Sequence, residues 1–238
     1  MSLCKELIST QHGDVRLEGH LIYPQGSPTP LPTVIVCHAW AGCDAFAQRA
    51  GERLAELGYA AFAADLYGEG RVGESQEENA ALMQPLIDDR TLLRDRLVTI
   101  YESLRSLEQV DAEKIAAIGY CFGGLCALDL ARSGSPLLGF VSFHGLLAAP
   151  EGIPTEKIAA KVLLLHGNLD PMVPTEQVLG VQKEMTEAGA DWQMHVYGQT
   201  MHAFTNPEAN DPDFGTVYSE SADKRSWQSL VQFLDEVF

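Results

Sequence analysis

One cysteine lies in a pattern that suits a catalytic nucleophile. Residues 114–125 read KIAAIGYCFGGL, so an apolar run ends at Gly119 and Cys121 stands between Gly119 and Gly123. This has the form of a nucleophile elbow with cysteine in place of the usual serine. Such a strained strand-to-helix turn needs small residues two positions before and after the nucleophile. The positive end of the following helix favours a thiolate, so Cys121 is the candidate nucleophile.

This turn has two other interpretations. It could be a glycine-rich connection that holds a buried structural cysteine. A phosphate-binding loop fits less well, because the segment lacks both the G-x-G-x-x-G spacing and the lysine of a P-loop. Whether Cys121 is structural or catalytic therefore depends on whether the chain also supplies the acid and the histidine of a triad.

An elbow of this kind predicts an acid and then a histidine further along the chain. Asp170 follows an apolar run that ends at His166, and His202 follows the run at 193–197. Both residues therefore come after predicted strands, where open α/β sheets place their sites. Alone, Asp170 could be a turn residue and His202 an ordinary loop histidine. In this order they predict a catalytic triad of Cys121, His202 and Asp170.

Three more histidines end apolar strands at the same predicted edge: His38, His144 and His166. None of them follows Asp170 in the chain, so we assign them other roles. His38 is expected to hold the loop that follows it, and His166 to orient the turn of Asp170. His144 is a candidate for the pocket lining.

The oxyanion hole of such a site needs two backbone N–H donors. The residue after the nucleophile, Phe122, supplies the first. The loop HAWAG at 38–42 supplies the second, and we predict the N–H of Trp40. The Trp40 side chain is also compatible with a role as a pocket wall.

Alternating strands and helices must position these residues. Short apolar runs predict strands at 15–23, 33–38, 60–65, 115–119, 140–144, 162–166 and 193–197. Apolar residues at helical spacing predict helices at 46–57, 92–107, 123–132, 175–188 and 219–238. This order predicts an α/β fold with a mostly parallel central sheet of about 7–8 strands flanked by helices. The first strand alternates and is expected to be an antiparallel edge, and the polar stretch 68–85 a flexible cap or the border of a lid.

Composition excludes several classes of protein. The 238 residues carry 16 Lys and Arg against 33 Asp and Glu, a net charge of −17, which argues against binding nucleic acid or anionic lipid. The chain has no linker that would divide it, so we expect one domain over residues 1–238. The five cysteines show no CxxC spacing and indicate free thiols rather than disulfides or a zinc site. Without a signal peptide or a membrane-spanning run, we expect a cytoplasmic protein.

The sequence resembles the dienelactone hydrolase family of α/β-hydrolases over nearly its whole length. The resemblance rests on four segments: ADLY at 64–67, GYCFGG at 119–124, HGNLD at 166–170 and HAF at 202–204. It implies an α/β-hydrolase fold and the hydrolysis of ester or lactone bonds through Cys121, His202 and Asp170. It implies no metal or organic cofactor.

The chain departs from the dienelactone-cleaving members at a position that contacts the resting nucleophile and at one that helps hold the substrate carboxylate. Those members have a glutamate where this chain has Ala39, and an arginine soon after Asp-Leu-Tyr where this chain has Gly68 and Glu69, with Arg71 two positions later. The residue after the histidine, often serine, is Ala203. We therefore expect a neutral, more hydrophobic ester or lactone. Candidate wall or substrate-binding residues are Ala39, Trp40, Phe46, Tyr67, Arg71, Tyr120, Phe122, His144 and Phe204.

Three further functions stay open at this point. The nucleophile could also attack neutral phosphotriesters as a secondary activity. The chain could instead be a thiol redox sensor in which Cys43 or Cys126 pairs with Cys121, or a non-catalytic relative that binds a ligand. The expected partner is a small-molecule substrate, and a homodimer is plausible.

Overall fold

The computed structural model describes residues 2–238, which form two compact units: residues 2–118 and residues 119–238. Strand β5, Val110–Tyr120, begins in the first unit and ends in the second. The expectation of one domain over the whole chain stays a prediction.

The first unit combines four further strands with three helices. The strands are β1 (Leu3–His12), β2 (Val15–Pro24), β3 (Leu31–Cys37) and β4 (Ala60–Ala64). The helices are α1 (Ala45–Glu56), α2 (Gln76–Asp88) and α3 (Arg90–Leu104). The strands lie in the order β1-β2-β4-β3, in which β3 and β4 are parallel and the other pairs antiparallel.

The second unit repeats the alternation. Its parallel strands β6 (Gly139–Phe143), β7 (Lys161–Gly167) and β8 (Asp191–Tyr197) lie side by side. Its helices are α4 (Phe122–Arg132), α5 (Thr175–Glu187) and α6 (Glu220–Val237). Two short strands, β9 (Asn210–Asp211) and β10 (Thr216–Val217), form an antiparallel pair. The predicted α/β class is confirmed, with β1 to β8 as its eight main strands in the described residues.

The apolar runs of the sequence are the interior strands. Every residue of β4 and β6 is buried, as are all but one in β3 and β7. This is the expected burial for strands that are covered on both faces. The predicted strands and helices all appear, with bounds shifted by a few residues.

One strand lies outside the predicted set. The first predicted strand, β2, is antiparallel as expected, but it pairs with β1 on one side and with β4 on the other. The edge position therefore belongs to β1. Its exposure alternates regularly, but the residue types do not follow, since Leu7 is 58% exposed and Glu6 is half-buried. A half-covered strand of this kind shows little periodicity of apolar residues in its sequence.

The stretch 68–85, expected to be a flexible cap or lid border, is largely helical from residue 76 onward because it leads into α2. The Ser75 hydroxyl accepts the N–H of Glu78, and the Glu78 carboxylate accepts the N–H of Glu74. A serine followed three residues later by glutamate is a capping signal in the sequence. The sequence did not predict this helix, because only Asn79 and Leu86 are buried along it. Two buried residues are too few to produce a helical periodicity of apolar positions.

Candidate active site

The turn at Cys121 has the strained geometry that its sequence predicts. Cys121 joins β5 to α4 with φ 56° and ψ −117°, a backbone conformation that is unfavourable for a residue with a side chain. A Cβ atom on Gly119 would lie 1.8 Å from the carbonyl oxygen of Gly123, so only glycine fits there. The N–H of Cys121 donates to the carbonyl of Phe143 at 3.0 Å. The side chain is half-buried, and no disulfide involves it.

Asp170 and His202 are in direct contact in the same unit. Nδ1 of His202 donates to Oδ2 of Asp170 at 2.7 Å, and both side chains are almost completely buried. The other carboxylate oxygen, Oδ1, accepts the N–H of Met172 at 2.9 Å. Because both oxygens are engaged, the carboxylate is held in one orientation and fixes the ring of His202.

The loops that follow β7 and β8 are tied together by backbone hydrogen bonds. The N–H of Asn168 donates to Tyr197 and the N–H of Leu169 donates to Thr200, each at 2.9 Å. Gly167 permits this approach, since a Cβ atom there would lie 2.6 Å from the Thr200 carbonyl. This connection is what brings the acid and the histidine together.

A short hairpin, unpredicted from the sequence, holds His202 from the other side. The N–H of His202 donates to Gly215 at 3.0 Å, and its carbonyl accepts the N–H of Val217 at 3.1 Å. A Cβ atom on Gly215 would lie 2.1 Å from Pro171, next to the acid. The residues DPDFG at 211–215 are a turn signal that could have located this hairpin.

The charge on His202 is set by opposing effects. Burial, the largest single effect, disfavours the imidazolium. The negative charge of a Cys121 thiolate and the hydrogen bond to Asp170 together outweigh burial and raise the pKa of His202 to about 10. Nε2 of His202 is buried and lacks a hydrogen bond of normal geometry among the described residues. This nitrogen can therefore exchange a proton with a reacting group.

The aromatic candidates of this unit pack around His202 and its neighbours. Ring centres of His144 and His202 are 5.1 Å apart, those of His144 and Phe204 5.0 Å, and Tyr120 stacks on Phe143 at 4.7 Å. Tyr120, His144 and Phe204 are all buried. Phe122 is buried as well and is the first residue of α4.

His166, expected to orient the turn of Asp170, lies near enough for the Asp170 charge to act on its pKa, but its buried Nδ1 has no hydrogen-bond partner in the described residues. Burial lowers the pKa of this histidine, so its ring is neutral near pH 7. The turn of Asp170 is instead held by backbone hydrogen bonds.

The remaining site candidates, Ala39, Trp40, Tyr67 and Arg71, belong to the first unit. Nδ1 of His38 donates to the carbonyl of Ala39 at 2.6 Å, and Nε2 accepts the N–H of Leu66 at 3.2 Å. The N–H of Gly42 also donates to Ala39, and the Tyr67 hydroxyl donates to the carbonyl of Trp40 at 2.8 Å. The predicted role of His38 in holding the loop that follows it is thus confirmed.

Arg71 is engaged by the backbone of its own loop. Its Nε donates to Gly68 at 3.0 Å, and Nη2 donates to the carbonyl of Tyr67. The Asp65 carboxylate organises this loop, because it accepts the N–H groups of Tyr67, Gly68 and Gly70. The segment ADLY at 64–67 therefore has a structural function within its unit.

The other cysteines differ from Cys121. Cys37, Cys43 and Cys126 are buried, and only Cys4 is half-buried like Cys121. Burial raises the pKa of Cys37 and of Cys43 to about 12, so both remain thiols at neutral pH. The Cys43 thiol donates to the carbonyl of Ala63 at 3.3 Å.

The described part of the chain, residues 2–238, contains no helix that is long and apolar enough to cross a membrane. Within the same residues, no group of three histidine, cysteine or acidic side chains is arranged to hold a metal ion.

The fold is that of the α/β-hydrolases. The chain matches the dienelactone hydrolase family over residues 17–238 and belongs to that family. It is a dienelactone hydrolase-like hydrolase.

Two solved structures and one curated sequence are similar over much of the chain. The structure called m3DLH is 35% identical, with a TM-score of 0.94 and 99% of each chain covered. A "dienelactone hydrolase-like promiscuous" phosphotriesterase, P91, from metagenomic libraries is 34% identical, with a TM-score of 0.94 and 100% of each chain covered. The Caenorhabditis elegans protein K02A2.1 is 38% identical over 149 residues, which are 61% of this chain and 94% of that protein.

Proposed function

We propose that this protein hydrolyses ester or lactone bonds with Cys121 as the nucleophile. His202 is the general base and acid, and Asp170 orients it. The observation that carries this proposal is the 2.7 Å hydrogen bond between Asp170 and His202, in the unit whose strained elbow bears Cys121. Membership of a hydrolase family supports the same reaction class.

The proposed reaction has two steps. The Cys121 thiolate forms a C–S bond to the carbonyl carbon, whose π electrons move to oxygen. The tetrahedral intermediate collapses, the C–O bond breaks, and the imidazolium of His202 protonates the leaving oxygen. Water then attacks the thioester while His202 takes its proton, and breakage of the C–S bond releases the carboxylic acid and restores the thiolate.

The amides of Phe122 and Trp40 are the proposed oxyanion donors. Loss of one such donor typically reduces the rate about 100–1,000-fold. Trp40 N–H belongs to the peptide whose carbonyl, that of Ala39, is held by His38 and Gly42. Because N–H and C=O point in opposite directions across a trans peptide, these bonds also fix the direction of the Trp40 amide.

The proposed substrate is a neutral, activated ester or lactone. Position 39 carries alanine, so no carboxylate at that position competes with His202 for the thiol. Arg71 already donates to two backbone carbonyls, which supports a role in its own loop rather than in binding a substrate carboxylate. The net charge of −17 also disfavours anionic substrates.

Hydrolysis of neutral phosphotriesters is a second candidate activity. Similarity to the promiscuous phosphotriesterase P91 over the full length of both chains favours it. In this reaction the thiolate would form an S–P bond as the aryloxide leaves, and water would then cleave the S–P bond and release the phosphodiester. A redox-sensing role has less support, because Cys43 and Cys126 are both buried.

The test compares Cys121→Ala with the wild type on a neutral aryl acetate, a lactone, dienelactone and an aryl dialkyl phosphate. Because the thiolate forms the covalent bond, we expect Cys121→Ala to abolish ester hydrolysis while circular dichroism and the thermal midpoint stay unchanged. Intact-mass spectrometry should detect an acylated wild-type enzyme and no adduct on the variant.

Cys4→Ala is the matched control, since Cys4 is the other half-buried thiol. It should keep full activity and full acylation. The Cys121 nucleophile is wrong if Cys121→Ala retains ester hydrolysis within a few-fold. Iodoacetamide should label Cys121 before the other thiols, and labelling led by Cys43 would contradict a thiolate at Cys121.

A further inference from the structure

A second buried imidazole lies beside His202. His144 follows β6, is 2% exposed, and its ring meets the ring of His202 in a T-shaped arrangement at 5.1 Å. The reaction proposed for Cys121 gives this ring no task. Its backbone has φ 37°, in the left-handed region that is uncommon for residues with a side chain, although histidine adopts it more often than most. A strained, buried, polar residue in contact with a catalytic group calls for a functional explanation.

His144 also connects two segments of the site. Its Nε2 is 2.8 Å from the hydroxyl of Thr205, and both side chains are buried. Thr205 belongs to the turn that carries His202, which is closed by the hydrogen bond from Asn206 N–H to the Ala203 carbonyl. The N–H of His144 donates to Leu165 of β7. The ring thus links the turn of His202 to the parallel strands beneath it.

The charge states of the two rings are complementary. Burial and the positive charge of His202 lower the pKa of His144 well below its ordinary value, so His144 stays neutral. Two imidazolium rings with centres 5.1 Å apart would repel strongly in a buried site. A neutral ring here leaves the positive charge on His202, where the Cys121 thiolate and Asp170 need it.

We propose that His144 is a positioning residue for the reaction of Cys121, which holds the turn and the ring of His202 through its bond to Thr205 and its T-shaped contact. This inference rests on the proposed function. The bond to Thr205 separates it from simple filling of space, because an apolar ring of similar size would pack as well but could not make that bond.

Two amide substitutions separate the ring nitrogens of His144. In His144→Gln the amide can reach the position of Nε2, whereas in His144→Asn it reaches only the position of Nδ1, which has no partner among the described residues. Asparagine suits the positive φ better than glutamine does. A greater loss in the asparagine variant would therefore come from the missing bond and not from backbone strain. Thr205→Val removes the same bond from its other end with little change in shape.

We expect His144→Asn and Thr205→Val to lower kcat about tenfold or more, with KM nearly unchanged, because misplaced catalytic groups lose rate rather than binding. His144→Gln should retain most of the activity. The double variant His144→Asn/Thr205→Val should be no worse than either single variant. In NMR titrations, the pKa of His202 should fall in the two impaired variants and stay near the wild-type value in His144→Gln.

Wild-type kcat and an unchanged His202 titration in both His144→Asn and Thr205→Val would overturn the proposal. Equal impairment of the glutamine and asparagine variants would also overturn it, since the Thr205 bond would then not matter. Thermal unfolding checks that each variant is folded, and Thr205→Val decides the case if the substitutions at 144 do not fold. Failure of the Cys121 proposal would be seen separately, because ester hydrolysis would then survive in Cys121→Ala.

Discussion

At the scale of single residues, the site is held in conformations that residues with side chains rarely adopt. Cys121, His144 and Ala203 all have positive φ, between 37° and 56°. Such strain persists only where the surrounding structure imposes it, and it concentrates at functional sites. Here the imposing contacts are visible: the close approach of Gly119 to Gly123, the bond from His144 to Thr205, and the hairpin that holds His202.

The thiolate proposed at Cys121 should be measurable through the pKa of His202. The imidazolium of His202, with a pKa of about 10, should persist through pH 7–9 and be lost only as pH rises through about 10. In Cys121→Ala the stabilising negative charge is absent while burial still opposes the imidazolium, so the pKa should fall. NMR titration of labelled histidine measures it, with His202→Gln to assign the signal. An identical titration in wild type and Cys121→Ala would show that no thiolate lies beside the ring.

At the scale of secondary-structure elements, the elbow depends on close approach between the end of β5 and the first turn of α4. Gly119 and Gly123 are two positions either side of Cys121, and at Gly119 the backbone of Gly123 leaves no room for a methyl group. The acid and the histidine depend in the same way on the loops after β7 and β8, which meet at Gly167 and Thr200. Glycine thus permits the close backbone approach both at the turn of Cys121 and between the loops after β7 and β8.

Gly119→Ala should therefore destabilise the fold and remove activity together. The added Cβ would lie 1.8 Å from a backbone oxygen that cannot move without unwinding the start of α4. We expect a loss of about 1–3 kcal/mol or more in the free energy of unfolding, measured by urea denaturation.

Gly180→Ala is the matched control, because Gly180 lies inside α5 with nothing within 4 Å of the added atom. It should stabilise the protein by about 0.5–1 kcal/mol, since alanine loses less backbone freedom in a helix. A Gly119→Ala variant as stable and active as Gly180→Ala would contradict the packing argument for the elbow.

At the scale of the whole molecule, the excess of acidic residues produces a field that acts on approaching substrates. With 33 acidic against 16 basic residues, a neutral ester meets no long-range barrier, whereas an anionic ester is repelled. Together with the engaged guanidinium of Arg71, this field supports the proposed preference for neutral substrates. It adds nothing to the chemistry of Cys121 itself.

The dependence of kcat/KM on ionic strength should reveal whether the field of the protein disfavours anionic esters. Raising the ionic strength from about 0.01 to 0.15 M shortens the screening length from about 30 to 8 Å. We expect kcat/KM to rise for a 4-nitrophenyl hemisuccinate, which is anionic, and to stay constant for 4-nitrophenyl acetate, the neutral control. A fall with salt for the anionic ester would instead indicate a cationic subsite, for which Arg71→Gln would be the next variant.

The sequence by itself determined the α/β class and the three triad candidates, because these depend on local patterns. Continuous apolar runs mark interior strands, and the small residues around Cys121 mark the elbow. The same patterns failed where burial is partial: β1 is half-covered, and α2 buries only two residues. For α2 the capping pair Ser75 and Glu78 was a signal that periodicity could not supply.

Only the tertiary structure decided how the catalytic candidates are held. The hydrogen bond between Asp170 and His202, the hairpin at 210–217 and the contact of His144 with Thr205 join residues far apart in the chain. His144 and His166 looked alike in sequence, since each ends an apolar strand. They differ because one ring meets His202 and Thr205, whereas Nδ1 of the other is buried without a hydrogen-bond partner in the described residues. Such contacts arise from packing between segments, which no local pattern encodes.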